Sequence, residues 1–153
     1  MLIEKKIEEM GVQLPEVTAN TRLPLIPGVK VDNLLYCSGC GPDGDPENTW
    51  KGKVGREYST EEGYAAARLC AIGLLAQAKA VLGDLDRIKR VVKVLGMVNC
   101  TPDFEDQPQV INGASDFFVE VFGEGGRHAR SAVGMSSLPS DIPVEVEVIF
   151  EVD

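Results

Sequence analysis

Several groups of side chains in this sequence have the types and spacing to do chemistry. Cys37-Ser38-Gly39-Cys40 is a CxxC pair, suited in principle to zinc or to thiol redox work. A zinc site takes about four ligands, yet the chain offers one histidine, His128, and no second CxxC. A redox pair lowers its thiol pKa at a helix N-terminus, whereas this pair leaves a strand-like run and enters a glycine-rich loop. A structural or incidental role suits it better, and no metal is expected. His128 stands between Arg127 and Arg130. A serine hydrolase would need a nucleophile elbow, G-x-S-x-G, and none occurs, so His128 reads as a surface or edge-strand histidine. The glycines at 39, 41, 44, 52 and 55 spell neither a Walker loop nor G-x-G-x-x-G before a helix, and they read as turn residues. Glu145 and Glu147 alternate with Val144 and Val146. Glu147 reads as part of a solvated strand face, and Arg130, taken alone, as a salt-bridge residue.

The elements that must position these residues belong to a chain of 153 residues, the size of one domain. At 44% hydrophobic and 25% charged, the composition is ordinary for a globular fold. No run of apolar residues is long enough to span a bilayer. The charged start, MLIEKKIEEMG, lacks a signal-peptide core, so a cytoplasmic protein is expected. A net charge of -9 repels phosphate backbones and argues against nucleic acid as a partner.

Leu2, Ile3, Ile7 and Met10 fit a short amphipathic helix ended by Gly11, within an N-terminal extension over residues 1–23. Val29 to Ser38 reads as two strands turning at Asp32-Asn33, and residues 39–55 as a long loop of the functional or mobile kind. Ser59 and Glu62 make a capping box for a helix that runs to Leu82 before Gly83. Ile88–Val98 reads as a strand. Pro108 opens a second helix that buries Val110, Ile111, Ala114, Phe117, Phe118, Val121 and Phe122. Residues 127–136 and 144–152 read as the last strands. Two helices on one face of a mixed sheet make an α+β sandwich, and the other face needs a cover that oligomerisation would supply.

The stretch Ala129-Arg130-Ser131-Ala132-Val133, then Leu138-Pro139 and Val144-Glu145-Val146-Glu147, resembles the signature of the YjgF/RidA (reactive intermediate deaminase) family. Asn33-Leu34-Leu35-Tyr36-Cys37-Ser38-Gly39, Leu82-Gly83-Asp84-Leu85-Asp86-Arg87-Ile88 and Val110-Ile111-Asn112 with Phe117-Phe118 resemble other landmarks of that family, in the right order. The match spans residues 24–152. Asn99-Cys100-Thr101-Pro102-Asp103-Phe104 and Gly125-Gly126-Arg127-His128 are similar to a subgroup of longer chains.

The resemblance implies a chorismate-mutase-like sandwich assembled as a homotrimer, with ligand clefts between subunits. It implies hydrolysis of reactive enamines and imines of amino acids to 2-keto acids and ammonia, without metal or organic cofactor. In the implied cleft Arg130 binds the carboxylate of a small metabolite, Glu145 positions water or relays a proton, and Ser38 and Asn112 line the site. Two positions depart from the pattern: Leu25 stands where many active members carry tyrosine, and Ala132 where many carry cysteine. That departure keeps open a carboxylate-binding module without turnover. The endoribonuclease label borne by many members is disfavoured by the net charge, and a holdase role leaves no readable mark.

Overall fold

Hydrophobic periodicity and local caps account for most of the secondary structure. A computed structural model describes residues 2–18 and 22–153. The first helix, α1 (Leu2–Glu9), hands its first N–H groups to the Asp86 carboxylate, from Leu2 at 2.7 Å and Ile3 at 2.8 Å. Gly11, at φ +73°, ends it as expected. Its inward stripe puts Ile7 into the core. Helix α2 (Thr60–Leu82) begins with the expected capping box: Ser59 Oγ accepts from Glu62 N at 3.2 Å, and Glu62 Oε2 accepts from Ser59 N at 2.7 Å. Gly83 closes it in the left-handed conformation at φ +80°. Helix α3 (Gln107–Phe122) carries Pro108 in its first turn, where a missing N–H costs nothing.

Five strands form one sheet in the order β1-β2-β5-β3-β4. They are β1 (Gly28–Val31), β2 (Leu34–Cys37), β3 (Ile88–Asn99), β4 (Ala129–Met135) and β5 (Val144–Val152). The β1–β2 hairpin turns at Asp32, whose φ is +50°. β3 and β4 are parallel and the other pairs antiparallel, with α3 as the crossover that a parallel pair requires. The fourth strand is shorter than the span 127–136 expected, because Gly123–Gly126 folds as a 3-10 turn and the chain joins the sheet only at Ala129.

All three helices lie on one side of the sheet. Val91, Val94 and Val98 of β3 and Val144, Val146, Val148 and Phe150 of β5 pack beneath Ala67, Ala71, Leu74, Ile111 and Phe118. Small residues set the close approaches. A Cβ at Gly96 of β3 would stand 2.5 Å from Ile111, and one at Gly113 of α3 would overlap the carbonyl of Tyr64 on α2. By length and composition α2 could cross a bilayer. Its buried Ala66, Ala67, Cys70, Ala71, Leu74, Leu75 and Ala78 make it a core helix here.

The opposite face carries Leu95 and Met97 of β3, Ile149 of β5, Tyr36 of β2 and Val133 of β4. None is fully buried, and Tyr36 and Val133 are 44% and 40% exposed. Among the described residues, no helix covers this face. The loop over residues 39–55 is pinned rather than loose. Cys40 exchanges backbone bonds with Val146, Trp50 is buried against Tyr58, and Val54 bridges to Cys100. The fully buried amide of Asn99 ties the end of that loop to the β4–β5 connection. Its Oδ1 accepts from Lys53 Nζ at 2.5 Å, and its Nδ2 donates to Asp141 Oδ1 at 3.1 Å. Sequence reasoning gave no sign of that cluster.

Candidate functional site

Side-chain alternation on β4 decides what Arg130 can reach. Arg130 pairs in register with Val94, whose side chain is buried under the helices, so the guanidinium rises on the helix-covered side of the sheet. On that side it meets α3. There Nη1 donates to Asn112 Oδ1 at 2.8 Å and to Ser115 Oγ at 3.1 Å. Those two bonds use both hydrogens of Nη1. The Nε and Nη2 hydrogens take no protein partner among the described residues, so the guanidinium presents a two-donor edge, the geometry that grips a carboxylate. Ala132 follows two residues on, on the same side of β4, half-buried against the core.

His128 is not the bland surface residue that the sequence suggests. It is half-buried, with its ring edge-on to Phe118 at 6.1 Å and 89°. Nδ1 lies 2.6 Å from the carbonyl of Gly126, and Nε2 lies 2.9 Å from Ser115 Oγ. Burial pushes the imidazole pKa down and the Arg130 charge adds to that, while the bond to Gly126 acts the other way. The sequence does hold one signal for Ser115: it follows Asn112 by three residues, so both stand on one face of α3. That face meets β4 only in the folded chain.

Glu145 and Ser38 form a second group. Glu145 pairs with Met97 and points to the uncovered face. Its Oε2 lies 2.6 Å from where a Cβ on Gly39 would stand, so the glycine admits the carboxylate against the Ser38-Gly39 turn. Burial, and then repulsion from Glu147, hold the Glu145 carboxyl above the usual carboxylate range. Ser38 Oγ donates to the carbonyl of Ile26 at 2.6 Å, which ties the segment carrying Leu25 to the end of β2. Leu25 is 58% exposed. Beside this group an open cavity of about 400 Å³ is lined by Tyr36, Lys93, Ser131 and Glu147.

Within one chain the two groups do not converge. Arg130, Asn112 and Ala132 stand on the helix side of β4, while Glu145 stands on the other side of β5, with β3 between the two strands. The CxxC thiols belong to neither chemistry. Cys37 and Cys40 are buried, and burial pushes both up to about 12, so they stay protonated at neutral pH. Among the described residues, the acidic side chains of Glu4, Asp84 and Asp86 approach one another closely enough to be compared with a metal site. Asp86 is engaged in capping α1, and the group lies apart from Arg130 and Glu145.

Comparison with known proteins places this geometry. The family model described as "YjgF/chorismate mutase-like, putative endoribonuclease" matches residues 4–150. Protein TCP17 of Trypanosoma cruzi is 41% identical over 99% of this chain and 94% of its own. The crystal structure of Atu1372, a protein of unknown function from Agrobacterium tumefaciens, superposes with a TM-score of 0.90 at 44% identity, covering 99% of this chain and 93% of that one. A structure from Shewanella oneidensis that carries the same endoribonuclease description gives a TM-score of 0.91 at 33% identity, covering 98% and 99%.

Proposed function

Since the chain belongs to the YjgF/chorismate-mutase-like family, we propose that it hydrolyses reactive enamine and imine intermediates of amino acids to 2-keto acids and ammonia. It acts in the cytoplasm as a homotrimer, with its clefts between subunits. The observation that carries this reading is the edge of Arg130: Asn112 and Ser115 occupy Nη1 and leave Nε and Nη2 for a carboxylate. A small 2-imino acid has that carboxylate next to its reactive C=N carbon.

The chemistry asks little beyond placement. Arg130 grips the carboxylate and aims the C=N carbon. A protonated imine is already electrophilic, so neither metal nor organic cofactor is needed. Water adds to the carbon, its proton passes to nitrogen, and ammonia leaves as the C=O forms. Glu145 holds the water or relays that proton, and burial with repulsion from Glu147 raises its pKa, which favours proton transfer to it. Because Glu145 and Arg130 stand on opposite faces of one sheet, a single cleft can use both only when two copies of the chain supply them. Ser38 accepts a bond from the ligand while its own hydrogen stays on Ile26.

A second reading is a carboxylate-binding module of the same fold without turnover. It is favoured by Leu25, which puts an exposed apolar side chain where a hydroxyl is common in active relatives. An endoribonuclease is the reading least suited to a net charge of -9.

The test is turnover of freshly generated 2-iminobutyrate, wild type against Arg130→Ala. Loss of the carboxylate grip should cut kcat/KM by roughly 10² to 10³. A wild type no faster than buffer would exclude the deaminase. Thermal stabilisation by 2-oxobutyrate without turnover would establish the binding module instead. Tight RNA binding with a steep salt dependence would favour the nuclease.

A further inference from the structure

We propose that Ser115 and His128 form a hydrogen-bonded relay that fixes the guanidinium of Arg130, which makes them positioning residues for carboxylate recognition. The inference rests on the reading of Arg130 as the ligand's anchor.

Proton bookkeeping allows one arrangement. The carbonyl of Gly126 can only accept, so His128 Nδ1 carries a hydrogen and donates it. Arg130 can only donate, so Ser115 Oγ accepts from Nη1. A neutral imidazole has one donor and one acceptor nitrogen, so Nε2 accepts the hydroxyl hydrogen of Ser115. Every member is then satisfied, and the serine lone pair is turned toward Arg130. The relay runs Gly126, His128, Ser115, Arg130, with each donor and acceptor matched.

The far end of the relay is rigid. A Cβ at Gly126 would overlap the carbonyl of Phe118, so the 3-10 turn over Gly123–Gly126 lies hard against α3. The imidazole is also held edge-on by Phe118. Gly126 and Phe118 therefore place His128, His128 orients the Ser115 hydroxyl, and Ser115 with Asn112 stops rotation at Nη1. What stays uncommitted is the Nε/Nη2 edge, held in one plane. A protonated His128 would turn Nε2 into a donor. Ser115 Oγ would then accept from two cations and its own hydrogen would lose its partner. Burial keeps that form disfavoured.

His128→Phe isolates the relay, because it keeps the ring against Phe118 and removes both nitrogens. Ser115→Ala breaks the next step, and the double variant tests whether both act through one chain. Two readouts are taken. The ligand-free readout is the side-chain ¹⁵N spectrum of Arg130, assigned by its loss in Arg130→Lys. Slow rotation at Nη1 in the wild type should become fast in all three variants. The second readout is calorimetric affinity for 2-oxobutyrate and for its uncharged amide, 2-oxobutyramide. Affinity for the acid should fall about tenfold in each single variant, the scale of one hydrogen bond to a charged group. The double variant should be no worse, and the amide should bind all forms alike.

Unchanged Nη1 rotation, additive losses, or equal loss for acid and amide would overturn the relay. A wild type that neither binds 2-oxobutyrate nor turns over imine would overturn the functional reading alone, and the guanidinium spectrum would still decide the relay.

Discussion

Glu145 and Glu147 project from the same face of β5, two residues apart, and this proximity makes the first of them adjustable. Burial is the larger cause of the raised Glu145 pKa and repulsion from Glu147 the smaller. The folded-state value lies above the unfolded one, so the ionised carboxylate costs stability at neutral pH, and the cost is relieved as pH falls through the folded value. If ionised Glu145 works on the water, activity is lost on the acid side as it protonates. Glu147→Gln removes the repulsion, so the acid limb of kcat/KM should move to lower pH, read from a pH–rate profile over about pH 4 to 8. A limb that stays put would remove Glu145 from that role. Arg130 and Asn112 stand out as candidates through the motifs around them, and the structure bonds them to each other. Ser115 and His128 do not stand out in this way. A histidine thirteen residues from a serine means nothing until α3 docks on β4 and closes the 2.9 Å contact.

Elements were more legible than residues, since caps and periodicity are local. The capping box at Ser59 and the apolar face of α3 are written in consecutive positions. Strand order is not. β4 and β5 both read as strands, yet β5 enters the middle of the sheet and β4 takes its edge, and that choice depends on partners distant in sequence. It matters for function, because register with Val94 is what turns Arg130 toward α3. The α2–α3 contact that holds α3 in place turns on Gly113, which sits on the backbone of Tyr64. A methyl there meets a carbonyl that cannot yield without moving α2. Gly113→Ala should therefore destabilise by about 1–3 kcal/mol or more and lower Tm by several degrees in calorimetry. Because α3 carries Asn112 and Ser115, it should weaken 2-oxobutyrate binding as well. Full stability in this variant would contradict the packing described.

At the scale of the whole molecule, the sheet is dressed on one side. Leu95, Met97, Ile149, Tyr36 and Val133 make an apolar floor that no other described residue fully covers. The sequence anticipated this by running out of helices. It could not say which residues would meet the second copy that we propose, since register between chains leaves no local trace. Val133 is 40% exposed in the single chain, so a charge there costs the isolated fold little and an assembled one much. Val133→Glu should keep its helical spectrum while its mass by light scattering falls from the assembly toward one chain. Turnover should fall with it, because the proposed cleft takes Arg130 and Glu145 from two copies. An unchanged mass would leave the floor without a role in assembly. The four cysteines complete the picture from the other direction. All are buried, and burial holds Cys37, Cys40 and Cys70 well above the ordinary thiol range. The nucleophilic sulfur of this protein is thus kept inside the fold and, at Cys37, Cys40 and Cys70, in its unreactive protonated form.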